Sequence, residues 1–480
     1  MAGLEFDFRF REPREGRRSP SDPFRVLVLG DFSQKPVASD PATGLQALPV
    51  DADGFEALMQ RLQPHCQPAG TSEPLVFRGL EDFHPDGLLQ ALPTVAELRA
   101  SRQRLTDPAT RQAEAERLLA ASANGGQSPP RAAEDCPAAE QDDDTIGRLL
   151  GRAPTGAGAP APRRSGPLDG LLHELVAPYL QPHQMPARPE LVAAVDAALS
   201  DHLRAVLHDP AFQALEGRWR GLLSLVEATE GSLDVAIEVL DVPRPALAAD
   251  LERHAGDLSS SALHRLLVDD QRPGDAPWSL LICDFSFGPE AADLELLARL
   301  GALARQCNAA LLAEAGPGLQ QAGPANAGWA AARHSPVAAW IGLAAPRVLG
   351  RRPYGPRSEA VEALEFQELQ GVPGAGEFLW INPAFTLAGL LIGAFLEAGW
   401  DAHPEGMVDI ADLPLALYEA PEGRALQPCA ESVLTHDQAA ALLDQGIMPL
   451  QAWRDRNALR LLRWQSVADP PSALAGPWAG

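Results

Sequence analysis

Apolar positions along the 480-residue chain switch repeatedly between strand and helix periods. Residues 26–33, VLVLGDFS, form a continuous apolar run ending in Gly-Asp, which predicts a buried strand running into a turn. Phe55, Leu58, Met59 and Leu62 recur at helical spacing after Asp51, a capping candidate. Residues 73–105 predict a strand, an acidic turn and one or two helices. Leu191, Val195, Leu199, Leu203, Val206 and Leu207 place a helix over 189–208. The stretch 207–226, LHDPAFQALEGRWRGLLSLV, carries the clearest stripe: Phe212, Leu215, Trp219, Leu222, Leu223 and Val226. Asp209-Pro210 starts it, a carboxylate to cap free N–H groups and a proline whose missing N–H costs nothing there. Glu216, Arg218 and Arg220 lie off the stripe, so the arginines are expected to pair outward.

Further along, residues 232–243 alternate as a half-buried strand does. Helices are expected over 245–254 and 261–268. Two buried strands, 278–288 and 309–317, flank a helix over 293–308, and that spacing implies a parallel βαβ unit. A strand within 340–356 leads to a basic turn, and residues 377–400 read as a strand entering a buried helix. The pattern is that of an α/β (α+β) protein, with mixed sheets flanked by helices.

Composition changes abruptly over 121–167, which is rich in Gly, Pro, Ala and charge. Such a stretch cannot bury enough apolar area to order itself and reads as a disordered linker between two modules, 23–120 and 168–470. Within it, residues 142–151 predict a short amphipathic helix with Ile146, Leu149 and Leu150 as its apolar side. Another short helix is expected over 168–180. An N-terminal arm, 1–22, shows strand periodicity at Phe6, Phe8 and Phe10, and 471–480 reads as a tail.

Leu379 to Leu396 is an 18-residue stretch without charge, at the lower limit for spanning a bilayer. Asn382-Pro383 reads as a cap and first turn, which leaves too short a helix and favours a buried one. The N-terminus lacks the apolar core of a signal peptide.

Lys and Arg number 39 against 64 Asp and Glu, a formal charge of -25. That balance disfavours nucleic acid and anionic membrane surfaces as partners. Five scattered cysteines (Cys66, Cys136, Cys283, Cys307, Cys429), with no CxxC pair, argue against a disulfide framework or zinc site and for a reducing, cytoplasmic setting. No cofactor or metal is expected.

Candidate chemistry is sparse. Asp31 ends a strand, yet no phosphatase set, GxxxxGK[ST] or GxGxxG accompanies it. Glu81, Asp82, His84 and Asp86 cluster as metal ligands do, but Asp82 and Asp86 also suit a turn and helix start around Pro85. Asp31, Asp82, His84 and Asp284 would be the polar groups of a soluble α/β hydrolase, a distant alternative. Arg347, Arg351 and Arg352 stand out in an acidic chain and suit either a phosphate or a neighbouring subunit.

Several blocks together resemble one family. HDPAFQALEGRWRGL, PRVLGRRPYG, the 377–400 block and the turn around 444–450 resemble, in order, the large sheath subunit of bacterial type VI secretion systems (TssC, or VipB) over 168–465. PFRVLVLGDFS and LEDFHPDGLLQALPTVAELRASRQRL resemble the small sheath subunit (TssB, or VipA). The resemblance implies a structural, non-enzymatic sheath component, a fused and shortened TssB–TssC pair, whose contraction drives an inner tube. It implies sheath subunits, inner tube protein and baseplate as partners; residues 142–151 occupy a place comparable to the family helix that the recycling ATPase ClpV recognises, and read either as a docking peptide or as a passive linker helix. It makes Phe212, Leu215, Trp219, Arg220, Arg347, Arg351, Arg352 and Trp400 candidate structural or interface residues. The family's C-terminal hairpin has no counterpart after Pro470, which puts ordinary polymerisation in doubt and leaves open an accessory or capping paralogue.

Overall fold

A computed structural model describes residues 19, 21–35, 44–69, 71, 73–124, 188–271, 275–322, 326–454 and 456–478. The expected arm up to residue 18, the helix over 142–151 and the helix over 168–180 lie outside them.

The principal strands are β1 (Phe24–Gly30), β2 (Ala47–Val50), β3 (Val235–Asp241), β4 (Trp278–Phe287), β5 (Ala310–Ala315), β6 (Ile341–Ala345), β7 (Val408–Ile410), β8 (Ala416–Ala420), β9 (Gly423–Gln427), β10 (Ile447–Ala452) and β11 (Leu459–Leu461), and the two-residue strands His65–Cys66 with Leu75–Val76 and Val348–Leu349 with Trp380–Ile381 form two further antiparallel pairs. The principal helices are α1 (Phe55–Leu62), α2 (Pro85–Ala91), α3 (Pro93–Thr106), α4 (Arg111–Asn124), α5 (Arg188–Leu207), α6 (Pro210–Ala228), α7 (Arg244–Arg253), α8 (Ala291–Gln306), α9 (Pro383–Ala398) and α10 (His436–Asp444). Two compact units result: residues 1–91 with 203–480, and residues 92–202.

The first unit is built on a nine-stranded sheet of order β7-β11-β10-β6-β5-β4-β1-β3-β2. Six neighbours from β10 to β3 run parallel, and the strands at both edges are antiparallel. All seven residues of β1 are buried, because the strand sits centrally between β3 and β4. A strand from the N-terminal stretch thus lies inside the sheet of the C-terminal stretch. The parallel βαβ reading of 278–317 holds: α8 links β4 to β5, paired in parallel.

Period-two alternation divides the cover of this sheet. Leu27, Leu29, Leu281, Cys283, Leu311 and Ala313 share one core with α7 and α8. Their neighbours Val26, Val28, Leu280, Ile282 and Leu312 are equally buried but outside that core, so they face the other side. There α9 packs on β4, β5 and β6, and against α6. The uncharged stretch of 379–396 therefore forms a core helix, capped as expected by Asn382, whose side chain accepts from Ala384 N.

Three details differ from the sequence expectation. Asp51 accepts from Gly54 N at 2.7 Å and closes the turn before α1, while Gly54 takes the cap position. Residues 416–427 form an antiparallel hairpin, β8–β9, which LPLALYEA did not announce because apolar Leu417 stands at an exposed position. The expected tail is packed up to residue 478: Leu474 and Trp478 are buried and Ala475 N donates to Ala339 O at 2.7 Å. Burying two large apolar side chains outweighs the ordering of a Pro/Gly-rich segment.

In the second unit α3 and α4 form a helical hairpin. Ser101 Oγ donates to Glu114 at 2.6 Å, and Arg104 pairs with the same buried carboxylate at 2.8 Å. Arg102 pairs with Asp196 of α5 at 2.5 Å.

Candidate functional site: a signature helix and its buried arginines

Helix α6 begins where Asp209 Oδ1 accepts from Ala211 N and Phe212 N, at 2.9 and 3.2 Å. Phe212, Leu215 and Trp219 are fully buried. Their partners come from the N-terminal stretch. Phe212 meets Phe77 and Phe83 edge-on, with centroids 5.8 and 5.6 Å away, and those two rings stack on each other at 4.1 Å. Trp219 meets Phe32 and Phe55 at 5.2 and 5.7 Å, and its Nε1 donates to Phe32 O at 3.1 Å. The stripe of α6 is therefore the surface on which Phe32, Phe55, Phe77 and Phe83 are packed.

Glu216, Arg218 and Arg220 of α6 turn inward, contrary to expectation. Glu216 is fully buried because Arg351 supplies a charge beside it: Arg351 Nε lies 2.8 Å from Glu216 Oε1, and its Nη1 lies 2.7 Å from Glu368 Oε2. Arg220 Nε donates to Glu216 at 2.8 Å and its Nη2 to Tyr354 Oη at 3.1 Å. Tyr354 N donates to Glu368 at 2.7 Å, and the Arg351 guanidinium lies 4.0 Å above the Tyr354 ring. Two arginines and two glutamates balance in charge. Burial pushes the Glu216 carboxyl up, but Arg351 and Arg220 outweigh it and hold it below the usual carboxylate range. Removing any one member leaves a buried uncompensated charge.

A second cluster lies at the C-terminal ends of β1, β4 and β5. Arg218 Nε pairs with Asp284 Oδ2 at 2.6 Å, and its Nη1 donates to Asp31 O at 2.6 Å. Asp31 Oδ1 accepts from Gln34 N at 2.9 Å. Burial raises the carboxyls of both Asp31 and Asp284 against the pull of Arg218. Burial also pushes Glu314 up to about 7, opposed by Arg347. Ends of parallel strands commonly hold ligands. Here the Arg218 guanidinium is bound to the Asp284 carboxylate and the Asp31 carbonyl, so the arrangement neutralises charge.

The remaining candidates are spread out. Arg347 forms a two-pronged pair with Glu431, at 2.7 and 2.9 Å. Arg352 is exposed. Trp400 packs on Phe24 and Phe395, with centroids 5.8 and 4.8 Å away, and its Nε1 donates to Asp22 O at 3.2 Å. Asp82 accepts from Arg78 N and Gly79 N, and Asp86 from Glu362 N and Ala363 N. Asp82 thus has the turn role set against a metal site, whereas Asp86, in the first turn of α2, holds the backbone of a loop some 276 positions away. His84 lies 3.4 Å from Asp86 and edge-on to Tyr354. Among the described residues no group of three or more His, Cys, Asp or Glu could hold a metal ion.

Glu216, Glu368, Tyr354 and Asp284 emerge from the structure as the partners of the signature arginines. The Glu216–Arg220 spacing of four was a visible signal. Nothing in the sequence pairs Arg351 with a glutamate 135 positions away.

Residues 189–323 and 320–468 match the VipB family, described as EvpB/VC_A0108, tail sheath N-terminal domain. Residues 18–122 match the family described as Type VI secretion system, VipA, VC_A0107 or Hcp2. The type VI secretion system sheath protein TssC1 of Pseudomonas aeruginosa is 27% identical over 304 residues, which cover 58% of this chain and 61% of the relative. The chain thus spans about three fifths of that relative's length. With the VipB matches extending over more than half of its residues and a VipA match ahead of them, the chain belongs to the VipB tail sheath family and carries a VipA-like module fused to it.

Proposed function

We propose that the chain is a structural subunit of a type VI secretion contractile sheath, in which small- and large-subunit parts are delivered as one polypeptide. The observation that carries this reading is β1: a strand of the VipA-like match is inserted between two strands of the VipB-like match, with both its edges paired in parallel. The α6 stripe, packed against Phe32, Phe55, Phe77 and Phe83, supports it. A covalent link fixes the ratio of the two parts at one to one and removes the entropy cost of their association.

The subunit works by packing rather than by chemistry. It assembles in the cytoplasm with other sheath subunits around an inner tube, on a baseplate. Contraction is a switch between two packings of many copies, each contributing a small free energy. Residues 142–151, with Ile146, Leu149 and Leu150, serve as the docking segment for the ClpV unfoldase. Deleting them is expected to abolish binding to a co-encoded unfoldase; unchanged binding rejects that role.

High-speed sedimentation of the purified full chain, alone and mixed with separately made sheath subunits, tests the assembly. Pelleting polymer is expected. A chain that stays in the supernatant in both cases overturns it.

A further inference from the structure

Hairpin β8–β9 leaves an apolar face uncovered. Ala416 is buried in a small core with Leu369 and Trp380, and Tyr418 packs on it, so the opposite residues of β8 turn away. Leu417 is 63% exposed. Leu413 and Leu415 precede it at two-residue spacing and line the same groove, of about 430 Å3, whose floor is completed by Leu369, Ala416 and Tyr418 from the packed side of the hairpin. Among the described residues, β9 is the only strand paired with β8.

The groove's charge is opposite to that of the protein. Arg352, Arg357 and Arg424 line it together with a single carboxylate, Glu419. Glu419 lies 2.8 Å from Arg357 and 3.7 Å from Arg424. The Arg352 side chain is exposed and makes no ion pair with another described residue. Three guanidiniums against one carboxylate give a local excess of positive charge in a chain of net charge -25.

From this pairing we infer that the groove docks an extended acidic and apolar peptide segment of a partner protein. Alternate side chains of an extended peptide would meet Leu413, Leu415 and Leu417, and its carboxylates would meet Arg352 and the Arg357–Arg424 pair. Phosphate backbones fit less well, since they gain nothing from the leucines and meet an acidic surface beyond the groove. This inference does not depend on sheath assembly.

Fluorescence anisotropy on the full chain tests it, with a labelled peptide alternating leucine and glutamate as the probe. Saturable binding is expected, with no binding of the leucine–lysine counterpart. Arg352→Glu and Leu417→Asp, both at exposed positions, are each expected to weaken it about tenfold or more, and Arg352→Lys to retain it. Unchanged melting temperatures of these variants would show that the fold is kept. The inference is overturned by absence of binding, by equal binding to the Arg352→Glu and Leu417→Asp variants, or by equal displacement with an oligonucleotide of matching charge.

Discussion

Arg351 and Glu216, 135 positions apart in the chain, meet at 2.8 Å inside the protein, where both side chains are almost wholly removed from water. Their pairing ties the loop after β6 to the signature helix α6. Breaking such a pair from one side costs about 3–5 kcal/mol, because the other charge stays buried. Arg351→Ala and Glu216→Ala are each expected to lower stability by that amount in chemical denaturation. A loss below about 1 kcal/mol for both would show that the network is not a structural lock.

Trp219 anchors the VipA-like residues to α6. Trp219→Ala removes its ring contacts with Phe32 and Phe55 and its hydrogen bond to Phe32 O. The expected cost is about 3–5 kcal/mol. Trp219→Phe, which keeps most of the burial and loses the donor, should cost less than half of that. Equal melting temperatures for parent and alanine variant would refute the anchoring role.

Gly221 sets how closely α6 approaches α9. A Cβ placed there would lie 2.5 Å from the ring of Phe385, which is buried and cannot swing away. Gly221→Ala normally favours a helix by about 1 kcal/mol. Here overpacking is expected to reverse the sign, for a net loss of about 1–3 kcal/mol. A thermal melt in which the alanine variant is the more stable would contradict the close approach.

Glu314 gives a pH dependence with a definite sign. Burial raises its carboxyl from 4.5 to about 7 in the folded protein, against Arg347 and the Ser286 hydroxyl, and Asp284 and Glu431 add to the rise. The folded state therefore holds a proton that the unfolded chain releases, so stability from this group is lost as pH rises through that window. Glu314→Gln stays neutral throughout. It is expected to be more stable than the parent above the window, on the order of 1–3 kcal/mol, and similar to it below. Parallel stability curves for parent and variant across the window would disprove the assignment.

The elements that periodicity alone could place were those with one strong face. The stripes of α1 and α5, the continuous apolar runs of β1, β4 and β5, and the Asn382 cap of α9 appear where the sequence puts them, and so does the stripe of α6 except that Leu225 is buried in place of the expected Leu223. Pairing was not legible. Nothing local to VLVLGDFS says that its neighbours are residues 235–241 and 278–287, because every apolar strand satisfies the same burial requirement. The inward turn of Glu216 and Arg218 was hidden for a related reason. A charged residue beside an apolar stripe reads as solvated until a distant partner makes its burial affordable, and Arg351 and Asp284 are such partners. The hairpin β8–β9 escaped notice because Leu417 breaks the usual inside–outside alternation, and that irregularity is what marks the groove beside it.

Electron microscopy of the purified full chain shows whether it assembles as a sheath subunit. A sheath subunit with its small and large parts fused should appear as tubes or stacked rings, alone or after mixing with separately made sheath subunits. Isolated monomers that neither assemble nor attach to sheath filaments in either preparation would contradict it.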